Sequence, residues 1–239
     1  MAGEILVGTC GFCLAQKKYY ATFPVIEIQQ TFYHPPADQH VQKWRQAAPS
    51  DFEFTLKAFQ AITHPPQSPT WRRSRLSADE RKQAGSFRDT PVVRQAWETT
   101  RRLANILRAT IVVFQCPPRF AASDEHLHQI RWFFRWAERD RLKFGLEVRH
   151  PSWTDDLLRA LCRELELIHV VDPFVRRSVT PALKYYRLHG IGGYDYQYSD
   201  AELRQLLGWC QGRRIYCMFN NTYMLEDALR FRQLLGHAL

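Results

Sequence analysis

The chain has 239 residues, of which 45% are hydrophobic and 13% aromatic, which is enough apolar material for one sizeable core. Its Gly and Pro contents and its 24% of charged residues exclude collagen-like and low-complexity chains, and no apolar run reaches the roughly 18 residues of a membrane span. The net charge is +9, and the start lacks a secretory signal, so we expect a basic, cytoplasmic protein without a membrane partner.

Eight short runs rich in β-branched and aromatic residues predict β-strands. Most of them end at polar residues or at a Pro/Gly turn, as strands in compact domains do. The predicted strands are Ile5–Thr9, Val25–Gln30, Phe52–Ala58, Thr110–Gln115, Lys143–Arg149, Leu167–Val171, Lys184–His189 and Arg214–Phe219.

Helical patterns fill most of the gaps between these strands. Thr90 before Pro91, then Ser123 and Thr154, are good N-caps, and Ser199 with Glu202 forms a capping box. The predicted helices are Asp38–Ala48, Pro91–Arg108, Asp124–Arg139, Asp155–Glu166, one that follows Ser199, and Thr222–Leu235.

Strand and helix alternating eight times in under 250 residues predict an α/β fold, a single TIM-type (β/α)8 barrel. The first crossover, Phe12–Phe23, is short, and the sixth, Pro173–Leu183, is barely helical. No composition break marks a second domain. We therefore expect one domain over residues 1–239 with an incomplete outer ring and a Pro/Arg-rich insertion at about 64–91.

Positive charge is concentrated in one segment. Arg72–Arg108 holds ten cations against four anions, and 26 of the 33 cations in the chain are Arg. Since Arg binds phosphates in a bidentate manner, this segment, with Trp71 at its edge, is a candidate nucleic-acid footprint. A solvated helix face in a protein from an Arg-rich genome explains the same residues.

Six cysteines lack the regular spacing of a disulfide framework. Cys10 and Cys13 form a lone CxxC, whereas a zinc site needs a second pair and a thioredoxin-type site needs a helix start. We expect reduced, buried thiols.

Polar side chains gather where the predicted strands end, and a parallel barrel directs all those ends to one mouth. Glu27, Gln29 and Thr31 share one predicted strand face, which alternation turns toward the barrel interior. The candidate site residues at or just after the strand ends are Glu27, Gln29, Lys57, His64, Gln115, Glu147, Arg149, His150, Trp153, Asp172, Arg187, His189, Asn220 and Asn221.

Each residue type indicates a role. Glu27, Glu147 and His189 are acid–base candidates, and Lys57 with Arg149 and Arg187 forms a positive floor for an anionic group and for developing negative charge. We assign catalysis to Glu27, Lys57, Glu147 and His189, and ligand binding to the remaining candidates. A purely structural polar plug, in which these charges satisfy one another, is the alternative.

A cofactor cannot be assigned from these residues. Glu147, His150, Asp172 and His189 are ligand types for a divalent metal, yet they lack HExxH or a comparable spacing. Walker A, GxGxxG and GxSxG motifs are absent from the sequence. The cofactor stays unknown, and no metal-binding residues are assigned.

Short motifs at the strand ends form an ordered and specific set. They are Gly8-Thr-Cys-Gly-Phe12, Ile26-Glu-Ile-Gln-Gln-Thr-Phe-Tyr33, Phe52-Glu-Phe-Thr-Leu-Lys-Ala58, Ile62-Thr-His64, Phe114-Gln-Cys-Pro-Pro-Arg-Phe120, Glu147-Val-Arg-His-Pro-Ser-Trp153, Tyr186-Arg-Leu-His-Gly190 and Phe219-Asn-Asn-Thr222. Together they resemble the DUF72 family, also called YecE-like, over nearly the whole chain.

The resemblance implies a TIM barrel whose biochemical role is not established, and it adds Tyr33 to the ligand-binding candidates. Similarity of the family to endonuclease IV-like barrels implies nucleic-acid binding only by analogy of fold. This chain departs from the family pattern at Cys10 and Phe12, where Ser and Trp are usual, and at Gln29, where Asn is usual.

Three functional hypotheses follow. The first is an enzyme of the hydrolase, phosphodiesterase or isomerase type that binds an anionic, phosphorylated substrate at the barrel mouth. The second is a nucleic-acid-binding or processing protein that uses Arg72–Arg108, with Trp71, Trp153 or Tyr194 stacking on a base. The third is a non-catalytic module that binds a small metabolite.

Overall fold

Eight parallel strands close into a barrel in the computed structural model, which describes residues 3–237 apart from the side chains of Arg73 and His237. Each strand pairs with the next, and the last pairs with the first, so the predicted (β/α)8 barrel is confirmed. The strands are β1 Glu4–Cys10, β2 Val25–Ile28, β3 Glu53–Lys57, β4 Ile111–Gln115, β5 Lys143–Glu147, β6 Leu167–Val171, β7 Leu183–Leu188 and β8 Arg214–Phe219.

The helices surround this barrel as an incomplete ring. They are α1 Gln16–Thr22, α2 Gln30–Tyr33, α3 Asp38–Ala47, α4 Ala78–Gln83, α5 Pro91–Leu107, α6 Asp124–Trp136, α7 Asp155–Glu164, α8 Asp200–Trp209 and α9 Met224–His237. The first crossover holds only the seven-residue α1, and turns rather than a helix join β6 to β7. Both shortened crossovers are as predicted. Along the part of the chain that the structure describes, no helix combines the length and apolarity needed to cross a membrane.

Local capping explains where the main helices begin. The Thr90 hydroxyl accepts a hydrogen bond from Val93 N at 3.2 Å, and the hydroxyls of Ser123 and Thr154 cap α6 and α7 in the same way. Ser199 and Glu202 form the predicted reciprocal capping box at α8. Each of these helices buries one apolar stripe against the outer face of the sheet, which holds the barrel strands in place.

The second strand ends earlier than the sequence pattern predicts. β2 stops at Ile28, and Gln29 has helical dihedrals (φ −96°, ψ −25°) as the N-cap of α2. Thr31 therefore does not continue the inner face of the strand, and that prediction was wrong. Its hydroxyl instead donates to the carbonyl of Lys57 at 2.6 Å, because the chain turns over the end of β3.

The barrel interior is closed at its lower end by a charged layer. Glu53 accepts hydrogen bonds from Arg214 and from the Tyr216 hydroxyl, the latter at 2.8 Å, and Arg214 also pairs with Glu4 at 3.3 Å. Above this layer the axis is filled by apolar side chains and by Thr55 and Tyr185, all buried. The interior is thus a packed core rather than a channel.

The insertion after β3 is folded onto the barrel. It contains a 3₁₀ turn, Pro69–Arg73, and α4, both beyond what the sequence pattern predicts. Trp71 is buried and its indole N–H donates to the Pro65 carbonyl at 2.7 Å. Gly85 has φ +87°, and a Cβ there would lie 2.5 Å from the carbonyl carbon of His64, so this close approach requires glycine.

Candidate active site at the barrel mouth

Arg187 lies at the centre of the upper end of the barrel. Its guanidinium Nη2 lies 2.9 Å from Glu27 Oε1, and its Nη1 lies 2.6 Å from Glu147 Oε2 and 2.7 Å from Gln115 Oε1. The side chain is fully buried, as is that of Glu27. Burial would lower the pKa of Arg187, but the two carboxylates hold it well above the ordinary value, so Arg187 carries a permanent charge balanced by two acids.

Glu147 connects this central pair to the rim. Its Oε1 accepts a hydrogen bond from Arg149 Nε at 2.8 Å, while its Oε2 accepts from Arg187. Burial would raise the pKa of Glu147, but the charges of Arg187 and Arg149 hold it well below its ordinary value. A carboxylate that stays ionised between two guanidiniums cannot donate a proton near neutral pH, so the geometry favours a positioning role over the predicted acid–base role.

His189 has both ring nitrogens engaged. Its Nε2 lies 3.1 Å from Arg149 Nη2, and its Nδ1 lies 3.5 Å from Asp172 Oδ2. Since a guanidinium only donates hydrogen bonds, Nε2 must accept, which places the ring proton on Nδ1 facing Asp172. Asp172 also accepts from the backbone N–H of His189 at 2.9 Å. The arrangement orients Arg149 rather than leaving His189 open for proton transfer.

Lys57 differs from every other cation of this cluster. It is only 6% exposed, and its Nζ lies 3.6 Å above the centroid of the Phe32 ring. Across residues 3–237 no carboxylate or carbonyl forms an ion pair or hydrogen bond with this amine. Burial, reinforced by the charge of Arg187, lowers the pKa of Lys57 to about 7. The amine is therefore divided between its two protonation states at physiological pH.

A small polar cavity of about 290 Å³ opens at the mouth above Lys57 and Arg187; we call it the mouth pocket. Arg187 Nε is buried and lacks an acceptor within the described part of the chain, so one N–H of this guanidinium is unsatisfied. The predicted site residues that line the mouth pocket are Gln29, Tyr33, Lys57, Gln115, Arg187 and Asn220, joined by Phe32, Thr70 and Tyr194.

Other predicted residues lie beside the mouth pocket. A second cavity, of about 580 Å³, is lined by Glu147, Arg149, His150, Trp153, Asp172 and His189. A third, of about 680 Å³, lies between the insertion and the β4 loop and includes His64 with Gln115. The sequence thus identified the residues of one end of the barrel but not their division between adjoining cavities.

Trp153, Asn221 and His150 have hydrogen-bond partners outside the mouth pocket. The Trp153 ring is buried and donates to the Phe120 carbonyl at 2.7 Å. Asn221 is buried and its amide donates to Asp227 at 2.7 Å and to the Tyr196 carbonyl. His150 Nδ1 pairs with the Ser152 hydroxyl at 2.8 Å. These contacts favour a packing role for Trp153 and Asn221. The sequence could not predict this, because a position at a strand end does not reveal which way the following loop turns.

His64 is buried at the edge of the third cavity. Its Nδ1 lies 2.7 Å from the Thr63 hydroxyl, and its ring packs edge-on against Phe32. Burial, together with the nearby charge of Lys57, lowers the pKa of His64 to about 3. The imidazole is therefore neutral near physiological pH and can act there as a hydrogen-bonding group but not as a cation.

Two functional neighbours were missed by sequence reasoning. The Tyr185 hydroxyl lies 2.8 Å from Glu27 Oε2 and 2.7 Å from the Thr55 hydroxyl, and Cys10 Sγ lies 3.9 Å from Arg187 Nη2. Tyr185 could have been found, since it alternates with Arg187 on one strand. All six cysteines are free, and burial raises the pKa of Cys10 well above its ordinary value, as expected for a reduced thiol.

The candidate metal ligands do not assemble. His189 Nε2 lies 4.0 Å from Glu147 Oε1, but this nitrogen faces Arg149 and the carboxylate is held by two guanidiniums. Within the described ranges, no group of three or more His, Cys, Asp or Glu side chains is placed to bind a metal ion.

The Arg72–Arg108 segment is largely paired within the protein. Arg101 binds Asp140 through two hydrogen bonds of 2.8 Å, and Arg94 pairs with Asp89 at 2.7 Å. Arg102 and Lys82 also have acidic partners, and Arg88 donates to backbone carbonyls. Trp71 and Trp153 are buried, so of the three predicted stacking rings only Tyr194, 53% exposed, is accessible.

Comparison with known proteins establishes the family. The family model described as "Protein of unknown function DUF72" matches residues 15–239. The chain belongs to this family. This DUF72 protein is 23% identical over 261 residues to UPF0759 protein YunF of Bacillus subtilis (strain 168), an alignment covering 92% of the chain and 86% of YunF.

Solved structures share the barrel of this DUF72 protein. A DUF72 family protein from Enterococcus faecalis V583 aligns with a TM-score of 0.75 and 21% identity, covering 98% of each chain. Endonuclease IV from Thermus thermophilus aligns with a TM-score of 0.55 and 12% identity, covering 98% of this chain and 99% of the other. These likenesses concern the fold, and function has to be argued from the site.

Proposed function

We propose that this DUF72 protein is an enzyme whose substrate is a small anionic molecule, of the size of a phosphorylated metabolite, bound in the mouth pocket. The observation that carries the proposal is Lys57, a buried amine that lines a polar cavity and forms no ion pair with any carboxylate of the described residues. An unpaired buried charge is costly, and natural proteins keep such a group chiefly where function needs it.

The neighbours of Lys57 support an anionic ligand. An anion bound in the cavity would pair directly with the Lys57 amine, beside the guanidinium of Arg187. Asn220 and Gln29 line the cavity with amide groups that can fix its orientation. Glu27 and Glu147 then hold Arg187 in place, which pre-organises the donor before the ligand arrives.

Lys57 is also the group best suited to move a proton. With a pKa of about 7, its amine accepts a proton readily and its ammonium form returns one at the same pH. We therefore assign the acid–base role to Lys57 and not to Glu147, because two guanidiniums keep Glu147 ionised.

Small anions test this proposal directly. At pH 6.5 and constant ionic strength, inorganic phosphate is expected to raise the melting temperature of the wild-type protein, with a stabilisation of about 2.7 kcal/mol at a hundredfold excess over Kd. Differential scanning fluorimetry measures the effect. Asn220→Ala, at the pocket wall, should weaken the response, whereas Gln46→Ala, an exposed amide of α3, should leave it unchanged.

The proposal fails if neither phosphate nor phosphate monoesters stabilise the wild-type protein beyond a chloride control of equal ionic strength. Stabilisation that is the same in Asn220→Ala and in the wild type would place the anion elsewhere on this basic surface.

Nucleic-acid binding is a second candidate, favoured by exposed arginines near the mouth. Arg72 lies in the 3₁₀ turn whose Thr70 lines the mouth pocket, and Arg72, Arg75 and the exposed Tyr194 ring are accessible. The likeness to endonuclease IV extends over almost the whole fold.

The salt dependence of binding to a short labelled single-stranded DNA tests this second candidate. If these arginines contact phosphates, the double variant Arg72→Glu/Arg75→Glu should reduce the log–log slope against salt by about 1–2, as measured by fluorescence anisotropy. Arg163→Glu, on the exposed face of α7, is the matched control. Absence of binding at 20 mM salt, roughly the regime in which non-specific contacts are strongest, would remove this candidate.

A further inference from the structure

The surroundings of Lys57 indicate a reaction as well as a binding role. Lys82 pairs with Asp79 at 2.8 Å, and Lys184 donates to the Trp209 carbonyl at 3.3 Å. Lys57 has no such acceptor among the described residues; its Nζ lies 3.6 Å from the centroid of the Phe32 ring, and the residue lines the cavity. Because no acceptor stabilises its ammonium form, this amine loses a proton more readily, and the deprotonated nitrogen has a lone pair that can attack an electrophile.

The electrostatics around this amine favour the neutral, nucleophilic form. Burial removes water that would solvate an ammonium ion, and Arg187 places a like charge nearby, so the pKa of Lys57 falls to about 7. An exposed lysine, with a pKa near 10.4, has only about one amine in 2,500 unprotonated at pH 7. Desolvated lysines beside another cation are the usual form of amine nucleophiles in proteins.

The mouth pocket is small and polar. At about 290 Å³, it holds roughly ten non-hydrogen atoms if each takes about the 30 Å³ of a water molecule. The residues that line it include Arg187, Asn220 and Gln29, whose N–H groups suit a carboxylate or phosphate group. The cavity therefore fits a short carbon chain that carries one anionic group within reach of the amine.

We propose that Lys57 forms an imine with the carbonyl carbon of a small anionic aldehyde or oxo acid bound in the mouth pocket, an inference that rests on the mouth pocket being the active site. The amine nitrogen attacks the carbonyl carbon, and the carbonyl oxygen takes up a proton to give a carbinolamine. Loss of that oxygen as water leaves the C=N bond. From the ammonium form the balance is one ammonium and one carbonyl giving one protonated imine and one water.

The carboxylates of Glu27 and Glu147 attract the positive charge of the product of this step. A protonated imine carries one positive charge at the position of the Lys57 nitrogen, where the charges of Glu27 and Glu147 oppose the effects of burial and of Arg187. The two carboxylates are held in position by Arg187 and Arg149, so they stabilise the imine without reorganisation. An imine so stabilised withdraws electrons from the adjacent carbon, which is the basis of lysine-dependent carbon–carbon and proton-transfer chemistry.

Reductive trapping tests the imine on the wild-type protein. The protein is incubated at pH 7 with glyoxylate, an anionic aldehyde, and sodium cyanoborohydride, and the modified residue is located by peptide mass spectrometry. We expect one adduct per chain at Lys57, formed at least about tenfold faster than at any other lysine because more of its amine is unprotonated. Lys57→Arg should lose this fast phase, and Lys184→Arg, a lysine with a carbonyl partner, should keep it.

Each outcome decides between the two proposals. A fast adduct at Lys57 that inorganic phosphate slows supports both the imine and the mouth pocket. Phosphate stabilisation without an adduct at Lys57 overturns the imine and leaves the anion site standing. Equal labelling of all lysines in a protein that no anion stabilises overturns both.

Discussion

Replacement of Arg187 by alanine is expected to lower the free energy of unfolding by about 3–5 kcal/mol at pH 7, because it leaves buried Glu27 without its ion pair and Glu147 with Arg149 alone. Glu27 and Glu147 are both buried and lie 2.9 Å and 2.6 Å from the guanidinium. For a chain of this length the loss corresponds to a fall in Tm of roughly 10 °C. Urea unfolding followed by circular dichroism measures it, and Arg163→Ala, on the exposed face of α7, is the matched surface control.

The pH dependence of this loss follows from the sign of the Glu147 shift. The folded-state pKa of Glu147 is depressed, so its contribution to stability is present above the ordinary carboxyl pKa of about 4.3 and is lost as the pH falls below it. The difference between wild type and Arg187→Ala should therefore stay near its full size from pH 7 to about 4.3 and shrink as the pH falls further. Arg187→Met combined with Glu27→Gln and Glu147→Gln should recover part of the stability, since it removes the buried charges together. A loss below about 1 kcal/mol, the scale of an exposed pair, would contradict the central role of Arg187.

Replacement of Lys57 by methionine should raise the free energy of unfolding, whereas Arg187→Ala lowers it. The same replacement should abolish the stabilisation by phosphate. Methionine has nearly the same length, packs on the Phe32 ring that Lys57 Nζ now covers, and carries no charge to desolvate. With a folded-state pKa of about 7 against about 10.4 unfolded, the wild-type protein is destabilised by about 2–4 kcal/mol at pH 7 relative to a neutral residue.

The pH profile separates this effect from ordinary repacking. Because the folded pKa lies below the unfolded one, the wild-type penalty is complete below about pH 7 and fades as the pH rises toward 10.4. Urea unfolding at pH 7 and at pH 10 should show a large advantage of Lys57→Met at the lower pH and little at the higher. Lys184→Met, which loses a hydrogen bond to Trp209, should show no such gain. A destabilised Lys57→Met protein would indicate a structural polar plug.

The barrel and the residues of its mouth could be predicted because both follow from alternation along short strands. Glu27, Glu147 and Arg187 come from three separate strands, and their ion pairs of 2.6–2.9 Å show that strand ends scattered along the chain meet. A run such as Leu167–Val171 has the same bounds in the sequence pattern and in the structure, because a strand buried on both faces leaves a nearly continuous apolar run, here broken only by His169.

The pairing within the site could not be predicted. Glu147 could have served as a proton donor or as an anchor, and only its contacts with Arg149 and Arg187 decide for the anchor. Lys57 is unusual because no carboxylate or carbonyl of the described residues bonds to its amine, and no sequence pattern indicates a missing contact. The short helix α2 lacks the length for a helical period, so the turn that carries Gln29 and Thr31 away from the strand was missed.

The Glu53–Arg214–Tyr216 layer closes the lower end of the barrel and limits the route by which molecules reach the mouth pocket. With Thr55, Tyr185 and Met218 filling the axis above it, molecules reach Lys57 only from the rim. A molecule bound there must leave by the route through which it entered, so a second molecule cannot enter until that exit is complete.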